Sequence, residues 1–264
     1  MVEEIRARMG PTKIVGRKIL YYRELGSTNT LVKELAAAGE PEGTAVIAGC
    51  QTAGRGRMAR SFQSPPDKGL YLTVLLRPRL SPERLPPVTA LAGVAVCGAV
   101  ERLCGVRPGL KWPNDPVLGG RKLCGILTER TAGGALAAGI GVNVAQTPAD
   151  FSPEVAEVAT SLLQETGQAV SRAALAAYLL EELDRMYGAL LSGDLGAYLT
   201  AYRRDCVNLG RRVQLISPDG TRETVTAVGI DEDFGLVVRE DRGGERTVRS
   251  GEVSVRGLYG YVES

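Results

Sequence analysis

Apolar runs of strand length alternate along this chain with longer stretches of helical period. KILYYREL, from Lys18, predicts a first strand. GSTNTLVKELAAAGE follows, and Ser27, Thr28 or Asn29 caps a short helix that carries Leu31 and Leu35. TAVIAGCQ (44–51) and GLYLTVLLRP (69–78) predict strands, the second stopped by Pro78. Residues 86–104 are nearly all apolar over a length that favours a buried helix. GLKWPNDPVLGGRKLCGILTER predicts a strand, a loop, a tight turn at Gly119-Gly120 and a returning strand, and ALAAGIGVNVA predicts another. Helical period returns in SRAALAAYLLEELDRMYGALL (171–191) and in AYLTAYRRD.

Beyond about Leu209 the texture changes. RVQLI, RETVTAVGI, GLVVRE, ERTVRS and EVSVR are short β-rich runs separated by Gly, Asp and Pro turns. Such spacing predicts about five strands forming a small barrel. The expected architecture is α+β: a mixed β-sheet flanked by helices over residues 1–207, then a small all-β domain over 208–264.

Composition narrows the chemistry. The chain has 264 residues, 44% hydrophobic and 23% charged, which is ordinary for a globular protein. A net charge of +2 is too small for a general nucleic-acid binder, so any basic function is local. There is no histidine, which excludes Ser-His and Cys-His catalysis and the usual zinc sites. Five cysteines without a C-x-x-C are expected to be reduced thiols in a cytoplasm. The start, MVEEIRARMG, lacks the apolar core of a signal peptide, and the apolar run 88–100 is too short to span a bilayer, so no membrane association is expected.

Two stretches carry candidate chemistry. GRGRMA (54–59) formally matches a dinucleotide fingerprint after a strand, but the expected helix cannot open through SFQSPP. The alternatives are a solvated surface loop and an anion clamp, in which glycines admit phosphate to backbone N–H groups and arginine forks pair with it. Three arginines within six residues repel one another, so such a clamp orders over an anion. In KWPND, Pro113 fixes the backbone and Asn114-Asp115 present polar groups from a turn. Asp115 suits a hard cation shared with phosphate, which makes it the candidate magnesium ligand. A turn at Gly119-Gly120 returns Lys122 alongside KWPND, where its charge stabilises a reacting carboxylate and phosphate. The bland readings are a buried Trp beside a turn and an exposed strand lysine.

GSTN, QTAGRGR, KWPND, GGRKLCGILTE and GIGVN, in this order, resemble the catalytic domain of biotin–protein ligases, and the tail through SGEVSVRG resembles that family's SH3-like C-terminal domain. The resemblance runs from about Lys18 to Gly257. It implies a catalytic domain of the class II aminoacyl-tRNA synthetase-like, biotin–lipoate ligase type, acting on biotin and ATP with magnesium. The implied reaction forms biotinyl-5′-AMP and then biotinylates a lysine of a biotin carboxyl carrier protein. By matching positions, Ser27, Thr28, Asn29 and Gln51 surround the biotin ring, with Gly125 beside it. Arg55, Gly56 and Arg57 close over biotin and the adenylate, supported by Arg60. Lys122 contacts carboxylate and phosphate. Lys111, Asn114 and Asp115 handle ATP phosphates and magnesium, and Phe62 and Asn143 stand on the nucleotide side. The catalytic set is Lys122, Arg57 and Lys111.

Two positions depart from the family's pattern. Ala59 replaces a second small turn residue, and Phe62 stands where Trp is common. Some members carry an N-terminal DNA-binding winged helix. About twenty residues precede the first strand here, so ligation without DNA binding is expected. Members of the family often dimerise, and an edge strand is suited to pairing across a twofold axis. The alternatives are a lipoate–protein ligase and a non-catalytic biotin-binding or regulatory protein.

Overall fold

The computed structural model describes residues 1–57, 60–81, 84–241, 243–249 and 254–257. Met58, Ala59 and residues 250–253 of the C-terminal tail lie outside the described residues, and with them the expected effect of Ala59 on the loop.

Five strands form the central sheet: β1 (Ile19–Tyr22), β2 (Ala45–Ala48), β3 (Gly69–Leu76), β7 (Cys124–Arg130) and β8 (Leu136–Asn143), in the order β1-β2-β3-β8-β7. Only β1 and β2 run parallel; the remaining neighbours are antiparallel, as a mixed sheet requires. A separate three-stranded ribbon holds β4 (Gly109–Lys111), β5 (Asp115–Leu118) and β6 (Arg121–Lys122). Gly119 and Gly120 both have positive φ, 56° and 73°, and make the turn between β5 and β6 expected there.

Strand periodicity of two sorts the sheet's residues to opposite faces. Leu70, Leu72, Val74 and Leu76 of β3 belong to the main core, beneath α3 (Pro87–Cys104) and α6 (Arg172–Ser192). Leu75 packs on the other face with Val46, Ala137 and the α2 (Thr28–Ala37) residues Val32 and Ala36. Helix α3 extends past the apolar run 88–100 to 18 residues, which by length and composition alone is enough to cross a membrane, yet 67% of it is buried inside this fold. It ends at Gly105 in the left-handed conformation, φ 71°, which closes the last turn.

Thr73 also points to the α2 face and is fully buried, so that face is polar where it passes the start of α2. Glycines recur at the same level: Gly141 pairs with Tyr71 and Gly125, and Gly139 pairs with Thr73 and Leu127. A glycine at alternate positions of β8 removes side chains from one face and hollows the sheet there.

The second sheet contains β9 (Arg212–Ile216), β10 (Arg222–Ile230), β11 (Leu236–Arg239), β12 (Glu245–Val248) and β13 (Ser254–Gly257), all antiparallel, in the order β12-β11-β10-β9-β13. Five strands fall where five were expected. Among the described residues no pairing joins β12 to β13, so the pairing is that of a sheet with two edges. This sheet docks through a turn. The Asp231 carboxylate accepts the N–H groups of Asp233 and Gly235 and holds Phe234 at φ 63°. The Phe234 carbonyl then accepts the Trp112 indole N–H at 2.9 Å, while its ring meets Tyr202 of α7 (Gly196–Asp205) edge-on at 5.6 Å. The Asn208 side chain accepts the Trp112 backbone N–H at 2.7 Å.

Trp112→Phe removes the indole donor and leaves a buried carbonyl without it. Such a loss costs about 1–3 kcal/mol. A lowered urea midpoint at unchanged slope is the expected result; an unchanged midpoint contradicts the docking role of this bond.

Candidate active site

One cavity of about 290 Å³ opens over the hollowed face of the central sheet. Every residue expected at the site from the sequence lines it.

At one end, polar side chains from α2 meet the end of the β2 segment. Thr28 donates both its backbone N–H (2.9 Å) and its hydroxyl (3.0 Å) to Gln51 Oε1, and Gln51 Nε2 donates to Ser64 (2.9 Å). Thr73 Oγ1 lies 2.7 Å from both Thr28 Oγ1 and Asn29 Oδ1. Asn29 Nδ2 donates to the Leu127 carbonyl and to Glu129. Ser27 is the N-cap by backbone conformation, yet its side chain makes no capping bond and lines the cavity instead. Hydroxyl and amide groups fixed in this way form a surface that offers both donors and acceptors to the cavity. Gly139 is indispensable to it, because a Cβ there would stand 2.1 Å from Asn29 Oδ1.

The arginine loop covers the middle. Arg55 pairs with Ser61 in a short antiparallel bridge, Gly56 N–H donates to the Arg60 carbonyl (2.7 Å) and Phe62 N–H donates to the Gly54 carbonyl (2.9 Å). The loop turns back on itself, and among the described residues no helix opens after it, as the prolines required. The Phe62 ring lies over the glycine notch: a Cβ on Gly141 or Gly125 would meet it at 2.5 or 2.9 Å. Arg57 crosses the cavity and donates to Asn114 Oδ1 at 2.9 Å. Burial and the neighbouring Arg60 charge pull the Arg57 guanidinium down from its ordinary range, partly opposed by Asp115. Arg60 is exposed on the rim, and the Arg55 guanidinium reaches Glu129 at 3.3 Å.

KWPND and the β5–β6 turn build the far end. Lys122 Nζ stands 2.7 Å from Asp115 Oδ1, the juxtaposition the glycine turn predicted. The Lys122 backbone is held on both sides, donating to the Val158 carbonyl and accepting from Thr160 N–H. Lys111 is 4% exposed, a buried ammonium at the cavity wall. Asn114 Nδ2 donates to the Ile126 carbonyl, which turns its oxygen toward Arg57. Asn143 lines the wall but commits its amide to the Thr160 carbonyl and its oxygen to Gln146.

Five cationic side chains thus surround the cavity, with Asp115 the one carboxylate among its described lining residues. The walls also contain residues the sequence did not single out. Val155 comes from a four-residue helix, Phe151 from the bend before it, Val158 from the turn after it, Ala159 from a short bridge to Lys122, and Val255 from the second sheet. Helical segments of three or four residues leave no period to read. The alternate glycines Gly139 and Gly141 were a legible signal that went unused.

No group of three His, Cys, Asp or Glu side chains comes together among the described residues. One carboxylate beside an anion-binding surface fits a magnesium ion that takes most of its ligands from phosphate and water, not a protein-held ion.

The chain that builds this cavity matches the biotin/lipoate A/B protein ligase family model over residues 21–145, and the biotin protein ligase C-terminal domain model over 209–256. The bifunctional ligase/repressor BirA of Bacillus subtilis is 33% identical over 96% of this chain and 79% of its own length. The biotin–[acetyl-CoA-carboxylase] ligase of Mycobacterium tuberculosis is 34% identical over 89% of this chain and 87% of its own. The biotin protein ligase of Aquifex aeolicus in complex with biotin and ATP superposes with a TM-score of 0.81 at 28% identity, covering 91% of this chain and 99% of that one. This chain belongs to the biotin protein ligases, and it is a ligase enzyme.

Gly139→Ala forces Asn29 out of its buried bonds. Unfolding free energy should fall by about 1–3 kcal/mol. A denaturation curve within a few tenths of wild type would show that the network is not built as described.

Proposed function

We propose that the enzyme activates biotin with ATP and transfers it to a lysine of a biotin carboxyl carrier protein. The observation that carries this reading is the single cavity that joins a hydroxyl-and-amide pocket to a cationic wall. A ureido ring offers donors and an acceptor to the first. A carboxylate and a chain of phosphates need the second.

Ser27, Thr28, Asn29 and Gln51 bind the biotin ring, with Gly125 leaving room at the floor. The biotin carboxylate oxygen attacks the α-phosphorus of ATP, the bond to the bridging oxygen breaks, and pyrophosphate leaves. Lys122, held against Asp115, spans carboxylate and phosphate oxygens, and its charge offsets the negative charge that builds between them. Lys111 and Asn114 take the phosphates and Asp115 takes part in holding magnesium, which when bound would neutralise phosphate charge. Arg57, Arg55 and Gly56 close over the acyl-adenylate, Arg60 supports the loop, and Phe62 and Asn143 bound the nucleotide side. The acceptor lysine amine then attacks the acyl carbon, an amide forms and AMP leaves. No protein nucleophile is needed, because positioning and electrostatics carry both steps. Residues 1–207 form the catalytic unit in this reading, and 208–264 support its nucleotide end through Trp112 and Val255. Cytoplasmic location agrees with five free cysteines, and the β7 or β1 edge is available for a homodimer.

ATP–pyrophosphate exchange tests the reading. It should require biotin, stay at background with lipoate, and largely vanish in Lys122→Ala. Exchange driven by lipoate alone would move the chain to lipoate chemistry; normal exchange in Lys122→Ala would remove that lysine from the first step.

A further inference from the structure

Glu129 lies on β7 beside the cavity and not in its lining, and it has no part in the chemistry above. Its carboxylate nevertheless gathers three donors, two from α2 and one from the arginine loop. Oε1 takes Lys33 Nζ of α2 at 3.0 Å and Arg55 Nη2 of the arginine loop at 3.3 Å. Oε2 takes Asn29 Nδ2 at 2.9 Å. The side chain is 19% exposed, so these contacts are partly shielded from solvent.

Each contact fixes something the site uses. Asn29 has both amide hydrogens committed, to Glu129 and to the Leu127 carbonyl, while its oxygen accepts from Thr73. Flipping that amide would set its oxygen against the Leu127 carbonyl and the Glu129 carboxylate, both acceptors, so the bond to Glu129 sets which polarity Asn29 presents. Arg55 sits at the start of the loop, and Arg57 two residues on reaches across to Asn114. The loop is therefore tied at one point to the KWPND wall and at the other to the sheet. Burial alone would raise the Glu129 carboxyl, but the Asn29 and Lys33 hydrogen bonds and the Lys33 and Arg55 charges outweigh it and hold the carboxyl below the usual carboxylate range. The group is an anion at neutral pH.

We propose that Glu129 is a positioning residue that latches the arginine loop to the central sheet through Arg55 and, with the same carboxylate, orients Asn29, so that loop position and ring-pocket polarity are set together. Arg55 then serves as the loop's anchor while Arg57 faces the ligand. The pocket half of this inference rests on the biotin reading above; the latch itself does not.

Hydrogen exchange of the ligand-free protein reads the latch, in the peptide that carries the Gly56 and Phe62 amides. Glu129→Gln keeps an acceptor for Asn29 and removes the charge. Arg55→Met removes the loop's half of the pair at a half-exposed position. Each should speed exchange about fivefold, the most a partly exposed ion pair supplies, and the double variant should exchange no faster than either single one. Lys33→Met, which removes one of the two α2 contacts and leaves Asn29 and Arg55 in place, should leave loop exchange within about twofold of wild type on the same scale. Unchanged exchange in Glu129→Gln, additive effects in the double variant, or loss of loop protection in Lys33→Met would each overturn the latch. Calorimetry with biotin supplies the second reading: Glu129→Gln should weaken biotin several-fold and raise its KM with little change in kcat. Loosened exchange in a protein whose wild type does not bind biotin would overturn the biotin reading and leave the latch standing. Unchanged exchange in a wild type that does bind biotin would do the reverse.

Discussion

The ion pair of Lys122 with Asp115 is the contact around which the reacting end of the site is arranged. It exists because two glycines with positive φ fold β6 back onto β5, which places a lysine seven residues on beside the turn that carries the carboxylate. The pair sits among Arg57, Lys111 and Asn114, a density of positive charge that costs folding free energy unless it is offset. Asp115 offsets part of it. In the proposed reaction a polyanionic substrate would offset the rest, so that binding and relief of repulsion would be the same event.

The rest of the molecule serves that arrangement. KWPND is clamped from outside by the β10–β11 turn, whose Phe234 carbonyl holds the Trp112 indole, and by Asn208 in the turn before β9, whose side chain holds the Trp112 backbone. The floor is made by absence: glycines at 125, 139 and 141 leave a trough in an otherwise packed sheet, and Phe62 and Asn29 occupy it from above. Larger residues there would collide with Phe62 and Asn29, which is why the strand that looks like a plain apolar run carries two glycines at a spacing of two.

Much of this was legible. Strand and helix order followed from apolar period. The missing helix after the arginine loop followed from two prolines, and the approach of Lys122 to Asp115 followed from one glycine pair. Other parts were hidden for physical reasons. The wall from Phe151 to Ala159 is built from turns too short to show a period. Val255 reaches the cavity by tertiary docking, which no local pattern encodes. Glu129 looks like any exposed strand acid until register sets it opposite α2 and the loop. Arg55, Arg57 and Arg60 are similar in sequence, yet one anchors to the sheet, one spans the cavity and one stays on the rim.

The central claim is that the arginine loop holds an acyl-adenylate between its two half-reactions. The most direct measurement is the dissociation rate of biotinyl-5′-AMP formed in place from biotin and MgATP without an acceptor protein, in wild type and in Arg57→Ala. Loss of a charged hydrogen bond costs ~1.5–3 kcal/mol, so the variant should release the adenylate roughly tenfold faster or more. Equal rates in the two proteins would contradict the account.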